Sequence, residues 1–184
     1  MNITVRDAII SALCYADIFD YPLTQEEVKI WLPYVRNYSR RFLNDIYSSV
    51  RPSRRLFEIR KKRKEWSSGK WIRAQRVASL LKRIPTIMLV GVTGGLPRSN
   101  AKAKDDIDVF IITLPKTLWV TRAIATLILD CYRLRRRPAD TNVKNLVCLN
   151  MFMSEAGLSL PINERDFFSA HEVLLMTPLF DRSG

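Results

Sequence analysis

Ile87-Met88-Leu89-Val90-Gly91-Val92-Thr93-Gly94-Gly95 and, eleven positions beyond the second glycine, Asp106-Ile107-Asp108-Val109-Phe110-Ile111-Ile112-Thr113 are the stretches whose reading decides the fold. The first is an apolar run that ends on a glycine pair, and it reads as a buried strand over residues 87–93. The second is rich in Ile, Val and Phe and reads as a strand from Ile107 to Thr113. Between them Leu96 to Asp105 is a polar loop that contains Pro97, Arg98, Asn100 and two lysines. Side chains alternate along a strand, so Asp106 and Asp108 share one face while Ile107 and Val109 take the other.

Two carboxylates a few ångströms apart repel each other unless something positive lies between them. Divalent Mg²⁺ (or Mn²⁺) is the usual answer, because a hard cation prefers oxygen ligands and keeps positions open for phosphate oxygens. Gly94 and Gly95, at the preceding strand end, let backbone amides approach a phosphate without obstruction. A metal beside bare backbone is the equipment of phosphoryl transfer. A lone Asp-x-Asp is a weak signal; joined to a glycine pair at a fixed separation it is much stronger.

With those residues, the chain resembles the DNA polymerase beta-type nucleotidyltransferase superfamily, in which a Gly-Ser or Gly-Gly turn precedes an Asp-x-Asp strand at this separation. More closely, it is similar to bacterial nucleotidyltransferase-domain proteins that begin with a winged-helix-like segment. Asp17-Ile18-Phe19-Asp20-Tyr21-Pro22-Leu23-Thr24, Val92-Thr93-Gly94-Gly95 and Asp105-Asp106-Ile107-Asp108 carry this resemblance. It implies that Gly94, Gly95 and Arg98 hold the nucleoside triphosphate, while Asp106 and Asp108 hold the metals and carry catalysis. Active members have a third carboxylate on a later strand. On the expected strand from Asn145 to Met153 the corresponding residue is Asn150, which can ligate a metal but brings no negative charge and no general base. Glu155 and Asp140 flank that strand out of phase. Relatives of this kind continue with covering helices, so the ending Phe180-Asp181-Arg182-Ser183-Gly184 implies a form that is short at its C-terminus.

Upstream, apolar spacing predicts a helix over residues 5–16, and Thr24-Gln25-Glu26-Glu27 has the form of a capping box that opens a second helix ending before Pro33. A third is expected from Ser39 to Val50, with Phe42, Leu43, Ile46, Tyr47 and Val50 inward. Three short helices followed by the alternation Arg55-Leu56-Phe57-Glu58-Ile59-Arg60 give the order of a winged helix-turn-helix. Arg40 and Arg41, with Lys61, Lys62, Arg63 and Lys64, are then candidates to contact DNA or RNA. A small helical module that binds protein or only packs fits the same pattern equally well. Arg51 to Arg83 is the most basic stretch, and Trp71, Ala74, Val77, Ala78 and Leu81 within it make a helical stripe over residues 69–83 with a solvated charged face.

The expected architecture is therefore α/β (α+β): a winged-helix-like module over residues 1–65, then residues 66–184 as a small mixed or antiparallel sheet flanked by helices. Leu118 to Leu134 reads as a crossover helix ended by Arg135-Arg136-Arg137. His171, the one histidine, reads as packing or surface rather than a base.

The chain has 184 residues, 47% of them hydrophobic, with 30 Lys+Arg against 18 Asp+Glu for a net charge of +12. Such a surplus favours polyanions, whether a nucleoside triphosphate or a nucleic acid. Cys14, Cys131 and Cys148 form no CxxC pair, so the spacing indicates neither a zinc site nor a disulfide framework. No signal peptide and no membrane span are read, and a cytoplasmic protein is expected. Alongside the transferase, two other readings are open. One is an inactive nucleotide-sensing or nucleic-acid-binding regulator; the other is an antitoxin-paired nucleotidyltransferase with an acidic protein partner.

Overall fold

A computed structural model describes residues 4–32, 39–50, 52–159 and 161–183. Pro33, the expected stop of the second helix, Arg51, the first residue of the basic stretch, and Gly184 lie outside the described residues. The chain divides into two compact units, Met1–Lys62 and Arg63–Gly184, where the sequence placed the division after residue 65.

The first unit holds α1 (Val5–Asp17), α2 (Gln25–Ile30), α3 (Arg40–Ser49) and the beginning of α4 (Arg54–Leu81). Each of the first three starts on a hydroxyl cap, from Thr4, Thr24 and Ser39, which satisfies an orphan backbone amide. Thr24 and Glu27 form the full reciprocal capping box. The helices bury Ile9, Ala12, Ala16, Leu23, Val28 and Leu43 against one another. Phe42 and Val50, expected inward, are 42% and 43% exposed, and Leu43 alone from α3 is fully buried.

Arg55 to Arg60 is not a strand. It is the opening of α4, and among the described residues this unit contains no strand. The alternation spans only a few positions, and Leu, Glu, Arg and Lys in and after it all favour helix. The helical phase brings Arg60 onto Glu27, donating to both of its carboxylate oxygens, and Arg60 Nη1 also donates to the Pro22 carbonyl at 2.7 Å. The same guanidinium lies 4.2 Å from the centre of the Tyr21 ring. Burial pushes the Glu27 carboxyl up, but Arg60 and the Thr24 amide outweigh this and hold it below its ordinary value.

The second unit is built on a four-stranded mixed sheet in the order β3-β2-β1-β4, with β1 Ile87–Val92, β2 Ile107–Thr113, β3 Val147–Ser154 and β4 Thr177–Asp181. The central β1 is antiparallel to both neighbours, while β2 and β3 are parallel and joined through α5 (Leu118–Cys131). A last helix, α6 (Phe167–Leu175), precedes β4, and it carries a buried His171. Burial along β2 alternates strictly: Ile107, Val109, Ile111 and Thr113 are buried, the residues between them half-buried. On the buried face, α4 and α5 supply Ala74, Val77, Ala78, Leu81, Ala125 and Leu129. Among the described residues no helix is long and apolar enough to cross a membrane.

The part of α4 in this unit also buries polar side chains. Arg63, Ser67 and Lys70 continue the stripe of Ala74, Val77 and Leu81 at spacings of three and four residues, and all three are at most 5% exposed. Lys70 Nζ donates to the Asp105 carbonyl and, at 2.9 Å, to Asn145 Oδ1. Arg73 Nη1 donates to the Asn145 carbonyl at 3.0 Å, and the Asn145 amide donates to the Asp105 carbonyl at 3.1 Å. Asn145 takes a left-handed turn, φ 60°, a conformation its short amide side chain tolerates. The helix thus pins the entries of β2 and β3 together. Replacing Lys70 by Met leaves Asn145 Oδ1 without this donor and the Asp105 carbonyl with one donor in place of two, and a loss of about 2 kcal/mol is expected, read as a lower urea midpoint with an unchanged slope.

Candidate metal centre

β2 begins one residue after Asp106 and carries Asp108 on the face opposite Ile107 and Val109. Its parallel partner enters beside it in the register Ile107 to Val147, Asp108 to Cys148 and Val109 to Leu149. Register partners of a sheet point to the same side, so Cys148 stands next to Asp108. The pairing then slips by one residue, with Phe110 opposite Met151. Asn150 is the residue skipped; it is exposed at this bulge, and the position beside the acid pair belongs to Cys148 instead. Asp106, Asp108 and Cys148 each offer a ligand atom, all within 4.8 Å of one another.

The glycine turn closes the other side. Gly94 has φ 71°, and a Cβ built there would lie 2.7 Å from Asp108 Oδ2. Both the backbone conformation and the approach of the carboxylate require glycine at this position. Gly95 plays a looser part: its carbonyl accepts from the Asn100 amide at 2.8 Å, closing the loop that follows. The Thr93 amide donates to the Asp108 carbonyl at 3.1 Å, which continues the β1–β2 ladder and sets Thr93 beside Asp108.

Arg136 supplies the local positive charge. Residues 134–136 run alongside the start of β3, with the Arg136 amide donating to the Val147 carbonyl at 2.8 Å, and Arg136 Nη1 reaches Asp106 Oδ2 at 2.7 Å. Hydrogen bonding to Asp106 raises the Arg136 guanidinium above its ordinary value. Burial, and after it the charge of Asp106, pushes the Asp108 carboxyl up to about 6, while the Cys148 thiol and Arg136 pull the other way. Burial followed by the two aspartates raises the Cys148 thiol, so the free site holds it protonated at neutral pH. Burial lowers the Lys70 ammonium, against the opposing pull of Asp105 and Asp106.

The other expected residues take different places. Arg98 is turned inward and pairs with Glu172 of α6 at 3.2 Å, its side chain 8% exposed, so it braces the loop after Gly95. Arg63 is buried and donates to Asn100 Oδ1 at 3.0 Å, which takes it out of any set of phosphate-contacting cations. Arg40, Arg41, Lys61, Lys62 and Lys64 are exposed on α3 and α4. Sequence reasoning missed Lys70, Arg136 and Cys148. Lys70 was traceable as a cation in phase with the apolar stripe of its helix; Cys148 depends on a register that no local pattern encodes. No family model matches the chain, and neither curated proteins nor solved structures give a match.

Two outcomes follow from this geometry. The Asp108 carboxyl sits above its ordinary 3.8 in the folded chain, so its contribution to stability is complete below about pH 4 and is lost as pH rises through about 6. Asp108→Asn is therefore expected to match wild type at pH 4 and to exceed it by about 1–2 kcal/mol at pH 8, after discounting for partial exposure. Chelator-treated samples followed by thermal melts at the two pH values measure this, and equal differences at both would refute it. Gly94→Ala combines a strained φ with a collision, and a cost of about 2 kcal/mol is expected by the same melts.

Proposed function

We propose that the second unit is a nucleotidyltransferase-type domain: it binds a nucleoside triphosphate through a divalent cation on Asp106 and Asp108 and moves the nucleotidyl group to an acceptor. One observation carries the reading. Two carboxylates and a thiol converge at the entry of β2, where a glycine turn brings bare backbone against the Asp108 carboxylate. The resemblance of the Gly-Gly and Asp-x-Asp stretches to that superfamily adds to it.

The donor set fits one divalent ion, with two carboxylates and room for phosphate oxygens. It does not fit a pair of hard ions bridged by three carboxylates, because the third place holds a thiol. When bound, such an ion would neutralise the carboxylates and polarise a phosphoryl oxygen. The chain's own residues do the rest. Gly94 brings bare backbone against the Asp108 carboxylate, beside the place where the ion would hold a phosphate. Arg136 balances Asp106 and, were a cation to take that carboxylate, would have a guanidinium for a phosphate oxygen. Arg98 holds the loop through Glu172.

A second reading, a domain that senses nucleotide without turning it over, is favoured by Cys148. A protonated thiol in the third place supplies no general base for the acceptor hydroxyl. Pyrophosphate release from each nucleoside triphosphate, with Mg²⁺, Mn²⁺, Co²⁺ or Zn²⁺ supplied separately, tests the transferase. Asp106→Ala and Asp108→Ala are each expected to lower the rate on the order of a hundredfold; identical traces for wild type and variants would reject it. Cation-dependent nucleotide binding with no pyrophosphate release would establish the sensing role instead.

A further inference from the structure

We propose that Cys148 is the third metal ligand and that it turns this centre toward thiolate-accepting cations, Zn²⁺ and its spectroscopic stand-in Co²⁺, and away from Mg²⁺. This rests on the cation-binding part of the function proposed above, not on catalysis. The three donors come from two separate segments, the entry of β2 and the second residue of β3, and the Asp108–Cys148 register brings them together. Their ligand atoms lie within 4.8 Å of one another. A tetrahedral ion with bonds of about 2.0–2.3 Å needs donors roughly 3.5 Å apart, so closure onto one ion asks for a movement of about 1 Å.

Hard Mg²⁺ gains little from sulfur, whereas Zn²⁺ and Co²⁺ accept thiolate beside carboxylate. Binding breaks the Cys148 S–H bond, forms a metal–sulfur bond and releases the proton to solvent. The charges then balance: two carboxylates and a thiolate carry three negative charges, and the divalent ion with Arg136, which faces Asp106, supplies three positive ones.

A separate observation marks the same place as a ligand site. Thr93 Oγ1 is buried with no hydrogen-bond partner, and the ladder sets Thr93 on the face of Asp108. Buried hydroxyls are almost always paired, and a hydroxyl on this face with no protein partner suits an ion, or an ion-bound water, held by the three donors. Gly94 lets the Asp108 carboxylate pack against bare turn backbone, since a Cβ there would meet Asp108 Oδ2 at 2.7 Å.

Co²⁺ titration of the chelator-stripped full chain decides the matter, with Cys14 and Cys131, both exposed, replaced by Ser so that Cys148 is the remaining thiol. One equivalent of Co²⁺ is expected to bring up a thiolate-to-cobalt charge-transfer band together with the visible bands of a four-coordinate ion. Zn²⁺ should bleach both, and excess Mg²⁺ should not. Cys148→Ser should abolish the charge-transfer band and weaken Co²⁺ binding about tenfold or more. Cys148→Asp, an oxygen donor that guards against a misfolded serine variant, should lose the band while gaining Mg²⁺ affinity. Co²⁺ binding that needs Asp106 and Asp108 but shows no thiolate band overturns the role of Cys148 and leaves the cation site standing. No Co²⁺ binding, or binding indifferent to Asp106→Ala and Asp108→Ala, overturns the cation site as well.

Discussion

Strand geometry forces Asp106 and Asp108 onto one face, and their mutual repulsion is the constraint to which the surrounding structure answers. Arg136 comes in from the segment after α5 to hold Asp106. Lys70, buried in the underside of α4, anchors the backbone immediately before the pair without touching either carboxylate. Among the described residues Asp108 has no ion pair of its own, and burial followed by the charge of Asp106 pushes it toward the neutral form. A folded domain that keeps such an uncompensated charge tolerates a cost that better packing would remove, and sites that bind cations are where this cost is returned.

The charge of the chain reads differently once the side chains are placed. A surplus of +12 invites the picture of a basic surface waiting for nucleic acid. Several of its cations are instead used within the fold. Arg60 ties α4 to Glu27 and Pro22, Arg63 and Lys70 fill the buried stripe of α4, Arg98 pairs with Glu172, and Arg135 with Asp130. The cations left exposed, among them Arg40, Arg41, Lys61, Lys62 and Lys64, form a smaller set than composition implies.

Much of both units is legible in the sequence because its signals are local. The apolar run before Gly94, the alternation of Ile107, Val109 and Ile111, and the capping box at Thr24 each specify their element with a few residues. Two features were not legible. Arg55 to Arg60 alternates like a strand over too short a window, and the helix-favouring residues beyond it prevail. The partner of Asp108 is fixed by the pairing of strands some forty residues apart, whose register sets Cys148 beside it and leaves Asn150, two positions on, at the bulge. Cysteine spacing gives no warning of it for the same reason, since the two carboxylates beside Cys148 lie on another segment of the chain.

The slip in β3 also separates the Asp108–Cys148 end of the strand from its apolar half. Beyond it, Met151, Phe152 and Met153 keep their own partners on β2, while Val147 to Leu149 keep theirs. The bulge works as a slack link between the two halves of the strand. An insertion or deletion at residue 150 can be absorbed there, leaving unchanged both the Asp108–Cys148 pairing before the bulge and the apolar pairing after it.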